Sequence, residues 1–123
     1  MQSGELTEVI GYQTARKQLA FADPPTAFLC ASLISALGVR RAIEERGLVM
    51  GKHVSVVTHD DMLSYLQNGD KTPIFTATRS SVRTAGRQLA QSLLHTIKHP
   101  NSPPQKTILK CEFVIGHSTG PAP

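Results

Sequence analysis

The sequence predicts an α/β fold: a three-layer arrangement in which helices flank a parallel β-sheet built from βαβ order. Three observations carry this reading. Short apolar runs stand directly after helix breakers, at Thr26–Ala31 and His53–Thr58. A helix-period segment separates them. About 30 residues run from Thr26 to Thr58, which suits one βαβ unit with its right-handed connection.

The elements follow in order. Ser3 is placed to cap a first helix over Leu6 to Leu19, whose apolar stripe is Leu6, Ile10, Ala15 and Leu19. Arg16 and Lys17 lie near its C-terminus, where the helix dipole favours cations. Asp23-Pro24-Pro25 stops it. Thr26–Ala31 then reads as a strand buried on both faces. Ser32 is the N-cap of a helix over Leu33 to Arg46, and Gly47 sits where a left-handed residue ends it. After Gly51, His53–Thr58 is a second buried strand, with His59-Asp60-Asp61 at its exit. Asn68-Gly69-Asp70 signals a turn. Ile74–Thr78 alternates as a strand, Ser80 and Ser81 open a helix over Val82 to Lys98, and Pro100 stops it. Thr107–Ile115 is a closing strand, and Ser118–Pro123 is too rich in Pro and Gly to be regular.

Composition narrows the function. At 123 residues the chain is at most one ordinary domain. Its 40% hydrophobic and 18% charged residues suffice for a core and exclude a disordered chain. Four Phe, two Tyr and no Trp argue against stacking platforms for single-stranded nucleic acid. Two Cys exclude a disulfide framework, and no spacing matches structural zinc. The longest mainly apolar stretch, Ala27–Val39, is broken by Ser32 and Ser35 and falls short of the ~18 residues of a membrane span. Met1–Glu8 is polar and does not read as a signal peptide. The net charge of +4 is scattered, with Arg40–Arg41 offset by Glu44–Glu45.

Chemistry is expected at the carboxyl ends of the parallel strands, where open α/β sheets bind ligands. One end presents Cys30, Ala31 and Ser32; the other presents Thr58, His59, Asp60 and Asp61. A carboxylate beside a hydroxyl suits sugar hydroxyls. Ser32 also reads as an ordinary cap of its helix, and Asp60 or Asp61 as a cap of the next turn. Arg79 and Ser80, between strand and helix, form a second candidate ligand position, or else an ion pair and a cap. His53 and His59 stand roughly 20 Å apart at ~3.3 Å per residue and cannot share a metal. GxSxG, GxGxxG and P-loop motifs are all missing, so no enzyme is expected.

Four collinear segments resemble the effector-binding core of the lactose-repressor/galactose-repressor (LacI/GalR) family of bacterial transcription regulators. Pro25–Gly38 looks like that family's strand-then-helix segment. His53–Asp61 looks like its "VSVVGFDD" strand, Phe75–Gly86 like its "LTTVRQP…G" crossing, and Glu112–Thr119 like its closing "ELVVRESTAPP". The resemblance implies a truncated subdomain of the type I periplasmic-binding-protein-like fold. It divides the chain into a βαβ unit (26–61), a crossing strand and helix of the other subdomain (74–100), and a closing strand and tail (106–123).

The resemblance implies ligand-binding roles for Asp60, Ser32, His59 and Ser80. Asp60 matches the aspartate that contacts effector in relatives. His59 stands where an aromatic usually precedes it. Ser32-Leu33 replaces Asn-Asp, Ser80 replaces a frequent glutamine, and Gly116 replaces an arginine. The implied partners are a small-molecule effector, most often a sugar, and a second copy as homodimer or strand- or helix-swapped oligomer. DNA is reached only through a region absent from this chain. No cofactor, metal or membrane is implied, and the location is cytoplasmic. A fragment of a sugar-binding transport receptor of the same fold is the alternative.

Overall fold

A computed structural model describes residues 7–122. The elements are α1 (Glu8–Gln18), β1 (Ala27–Leu29), α2 (Leu33–Glu45), β2 (Ser55–Asp60), β3 (Thr76–Arg79), α3 (Val82–Lys98) and β4 (Glu112–Val114). They form one four-stranded sheet in the order β1-β2-β3-β4. β1–β2 and β2–β3 pair parallel, and β4 joins β3 antiparallel. The expected α/β class with a parallel-dominated sheet is what the chain forms.

α1 is capped by Thr7, whose Oγ1 accepts from the Ile10 amide at 3.2 Å. The expected cap Ser3 and the first stripe residue Leu6 lie outside the described residues. The buried face of α1 is Gly11 and Ala15, continued by Leu19, whereas Ile10 is exposed. The stripe is rotated because backbone contact, and not side-chain size, sets the helix crossing. A Cβ on Gly11 would meet the Ser35 carbonyl, and one on Gly38 would meet the Glu8 carbonyl and the Tyr12 amide. Two glycines thus let α1 lie directly on α2. At the rim, the Tyr12 hydroxyl donates to Glu45 Oε2 at 2.6 Å and Arg41 stacks over the Tyr12 ring.

α2 begins and ends as expected. Ser32 caps it, and Gly47 follows with φ +70°, where a side chain is disfavoured. Its buried residues Leu33, Ala36, Val39, Ala42 and Ile43 recur at helical spacing. They pack with Val54, Val56 and Phe75 into the core.

The strands differ from expectation in three ways. β1 is not buried on both faces: Ala27 is exposed and Leu29 is 85% exposed. It is the edge strand, and nothing among the described residues covers its outer side. β2 runs two residues later than expected, because pairing with β3 continues through His59↔Thr78 and Asp60↔Arg79. It alternates, with Val56, Thr58 and Asp60 buried and Ser55, Val57 and His59 half-buried. Only three residues of the expected Thr107–Ile115 strand are strand, since the four residues of β3 offer β4 three partners.

The tail is irregular, yet it is part of the core. Ser118 is fully buried. Its Oγ accepts from the Thr76 amide at 2.8 Å and donates to the Val56 carbonyl, while its own carbonyl accepts from the Val56 amide. Asn68 plays a similar part from the other side. Its side-chain amide bonds the Phe75 carbonyl and amide, both at 2.8 Å.

Candidate functional site

The parallel register brings Asp60 of β2 beside Arg79 of β3 at the carboxyl edge of the sheet. Asp60 is 3% exposed. Its Oδ2 accepts from Arg79 Nε at 3.2 Å, and its Oδ1 accepts from the Met62 amide at 2.9 Å. That second bond turns the chain sharply, with Met62 at φ +55°. An aspartate this deeply buried needs such partners, because an unpaired buried carboxylate is costly. Arg79 therefore pairs not with a surface acid but with the candidate ligand residue itself.

An open cavity of about 360 Å³ lies against this pair. Asp60, Met62, Leu66, Gln67, Asn68 and Arg79 line it. It offers a carboxylate, a guanidinium and two side-chain amides beside apolar walls, a mixture suited to a small polyhydroxylated ligand. Ser32, His59 and Ser80 do not line it.

Ser32 is 7% exposed at the end of β1. Its Oγ accepts from the Ser35 amide at 3.3 Å and lies 3.1 Å from Ser35 Oγ, so its place is the α2 cap. His59 and Ser80 come together on the other side of the sheet. His59 Nδ1 lies 2.7 Å from Thr78 Oγ1, and its Nε2 lies 3.0 Å from Ser80 Oγ and 3.2 Å from Asp61 Oδ1. Ser81, not Ser80, caps α3 through the Thr84 amide.

Serine, histidine and aspartate in contact invite comparison with a hydrolase, but the roles do not fit. Ser80 and Asp61 approach the same ring nitrogen, whereas a nucleophile relay needs them on opposite nitrogens. Burial pushes the Cys30 thiol up to about 11, so it stays protonated and poorly nucleophilic at neutral pH. Among the described residues no three His, Cys, Asp or Glu side chains cluster to hold a metal. No helix among them is long and apolar enough to cross a membrane.

Two residues that fasten the strands carrying this site were not legible as such. Asn68 reads in sequence as a turn former, and only the fold shows its amide fastened to Phe75 and facing the cavity. Ser118 reads as tail. Its signal was the serine within the closing motif, which carries no hint of burial.

Residues 2–119 match the family described as periplasmic binding protein-like domain. The chain is 38% identical over 118 residues to the HTH-type transcriptional regulator AglR of Rhizobium meliloti, covering 96% of this chain and 33% of that protein. It is 30% identical over 110 residues to the probable HTH-type transcriptional repressor ExuR of Bacillus subtilis, covering 88% and 32%. Among solved structures it superimposes on a dimeric lac repressor with an 11-residue C-terminal deletion at TM-score 0.81 and 28% identity, over 98% of this chain and 43% of that one. It also superimposes on a LacI family regulator of Enterococcus faecium with bound ribose at TM-score 0.75 and 24% identity, over 95% and 42%. The chain spans about a third of the length of the curated relatives it matches.

Proposed function

The chain belongs to the lactose-repressor/galactose-repressor family, as part of its periplasmic binding protein-like domain, and from that premise we propose that it is the effector-sensing part of a bacterial DNA-binding transcriptional regulator. The effector is a sugar or a related small metabolite. It binds at the carboxyl edge of the sheet, between this subdomain and a second one. DNA contact belongs to a part of the protein outside these 123 residues, and the regulator works in the cytoplasm as a dimer. The relatives carry regulator names, which favours this reading over a transport receptor of the same fold.

The observation that carries the site is Asp60, buried at the strand end, paired to Arg79 and lining the cavity. Its two oxygens keep further lone pairs for neighbouring hydroxyls of a ligand. Ser32, His59 and Ser80 enter as the frame around that position: a cap, and a clasp on the next segment. The 74–100 segment crosses to the second subdomain. α3 supports this, because it buries no residue while Val82, Leu89, Leu93, Leu94 and Ile97 stand exposed. The mechanism is allosteric. A ligand bridging both subdomains shifts the hinge only by its differential affinity for the two geometries.

The test is thermal unfolding of the intact regulator against a panel of neutral sugars, beginning with ribose. A true effector at a hundredfold over its Kd stabilises the folded protein by about 2.7 kcal/mol. The Asp60→Asn variant, which keeps the side-chain shape, is expected to lose that shift and the change in DNA affinity. An effector response unchanged in Asp60→Asn would remove Asp60 from the site.

A further inference from the structure

The end of α3 carries two histidines one turn apart, His95 in the last turn and His99 at the cap. Residues four apart on a helix are neighbours on its surface. The two ring centres lie 4.7 Å apart, and the ring planes are tilted by 44°. We propose that His95 and His99 form a two-histidine site for a divalent transition-metal ion of the copper, nickel and zinc type.

The separation is the one a shared ion requires. Metal–imidazole bonds of about 2.0–2.1 Å put the ion about 3.2 Å from each ring centre. Two such rings meeting at about 90–110° have centres about 4.5–5.3 Å apart. The 4.7 Å between His95 and His99 falls inside that interval. A histidine ring centre lies close to its Cβ–Cγ axis, and rotation about that axis is soft. Each ring can therefore turn one nitrogen toward the common point while the separation is kept.

The backbone holds the second ligand in place. The His99 amide donates to the His95 carbonyl at 2.9 Å. The His99 carbonyl accepts from the Ser102 amide at 3.0 Å and from Ser102 Oγ at 2.8 Å. His99 is thus tied both to the helix and to the turn that follows it.

The surroundings select the ion. α3 contains no Asp or Glu, and among the described residues no third ligating side chain joins the pair. Mg²⁺ and Ca²⁺, which take oxygen ligands, find no carboxylate on this helix. Imidazole suits zinc, nickel and copper, with Cu²⁺ the tightest. The helix C-terminus favours a cation, and the exposed Lys98 can extend its ammonium into water. Water completes the coordination. The bound ion staples residues 95 and 99 across the final turn. Neither histidine lines the Asp60 cavity, so the site stands apart from the effector reading.

Copper titration of the 123-residue protein, read by electron paramagnetic resonance, tests the assignment. One Cu²⁺ per chain is expected, with nitrogen modulation from two imidazoles. His95→Gln and His99→Gln are each expected to leave one imidazole and to weaken binding at least about tenfold, the lower end of what losing even an outer-shell partner costs. His53→Gln and His117→Gln are expected to bind copper as the wild type does. The bonds that hold residue 99 come from its backbone, so His99→Gln decides the matter if His95→Gln fails to fold. A wild-type spectrum with fewer than two imidazoles, or binding unchanged in His99→Gln, overturns the proposal. So does displacement of the copper by excess Mg²⁺, which would place the ion on oxygen ligands.

Discussion

Ser118 shows how much one hydroxyl can carry. It bridges Val56 and Thr76, residues of adjoining parallel strands, at the amino ends of those strands. Both backbone groups are buried, and the serine satisfies them from 62 and 42 residues away in the chain. Ser118→Ala would leave the Thr76 amide without a partner. The expected loss is about 1–3 kcal/mol, read as a fall in Tm on calorimetry, with Ser118→Thr as the control that retains the hydroxyl. A Tm unchanged in Ser118→Ala would show that the tail is not part of the folded core. Asp60 makes the complementary point. Sequence reading left open whether it caps a turn or meets a ligand, and the geometry shows one carboxylate bonded to the Met62 amide while also lining the cavity.

At the level of elements, boundaries were legible where local chemistry sets them. α2 and α3 run close to their expected spans, because Ser32, Ser81, Gly47 and Pro100 act within one turn of the chain. Faces were less legible. The α1 stripe chosen by side-chain size is not the buried one, since contact with α2 is made through Gly11 and Gly38. This gives a prediction opposite to helix propensity. Ala is favoured over Gly in a helix interior by about 1 kcal/mol. Gly38→Ala should nevertheless lower the Tm, because the added methyl meets the Glu8 carbonyl and the Tyr12 amide, which are backbone and cannot swing away. A higher Tm for Gly38→Ala would mean that the two helices separate at little cost. The first three strands were placed within about two residues, whereas the closing strand begins at Glu112 and not at the expected Thr107; pairing set the ends, and β2 extends to Asp60 because β3 continues to Arg79.

On the scale of the whole molecule, the apolar surface is unevenly used. One face of the sheet is closed by α2 with α1 upon it, while β1 is an edge with Leu29 exposed and β4 leaves Phe113 exposed beside Ile115. The unburied face of α3 adds Leu89, Leu93 and Ile97. Contiguous apolar surface and open strand edges promote association. The 123-residue chain is therefore expected to self-associate on light scattering, and Leu89→Lys with Leu93→Lys to reduce that association. The same double substitution should alter stability by no more than about 0.5 kcal/mol per site, since neither leucine is buried. A monodisperse wild-type monomer would remove this expectation. The chain spans about a third of the length of the curated relatives it matches.

Class, order and family were determined by the sequence itself. Breakers, caps and apolar periodicity act locally, and four collinear motifs point to one family whatever the packing. Tertiary structure decided what each motif residue does. Whether Asp60 holds Met62 and Arg79, whether His59 is paired by Asp61 and Ser80, and whether Ser118 lies in the tail or in the core depend on residues brought together from distant parts of the chain. A hydroxyl or carboxylate has the same local preferences in either setting, so only its neighbours in space distinguish cap, clasp and site.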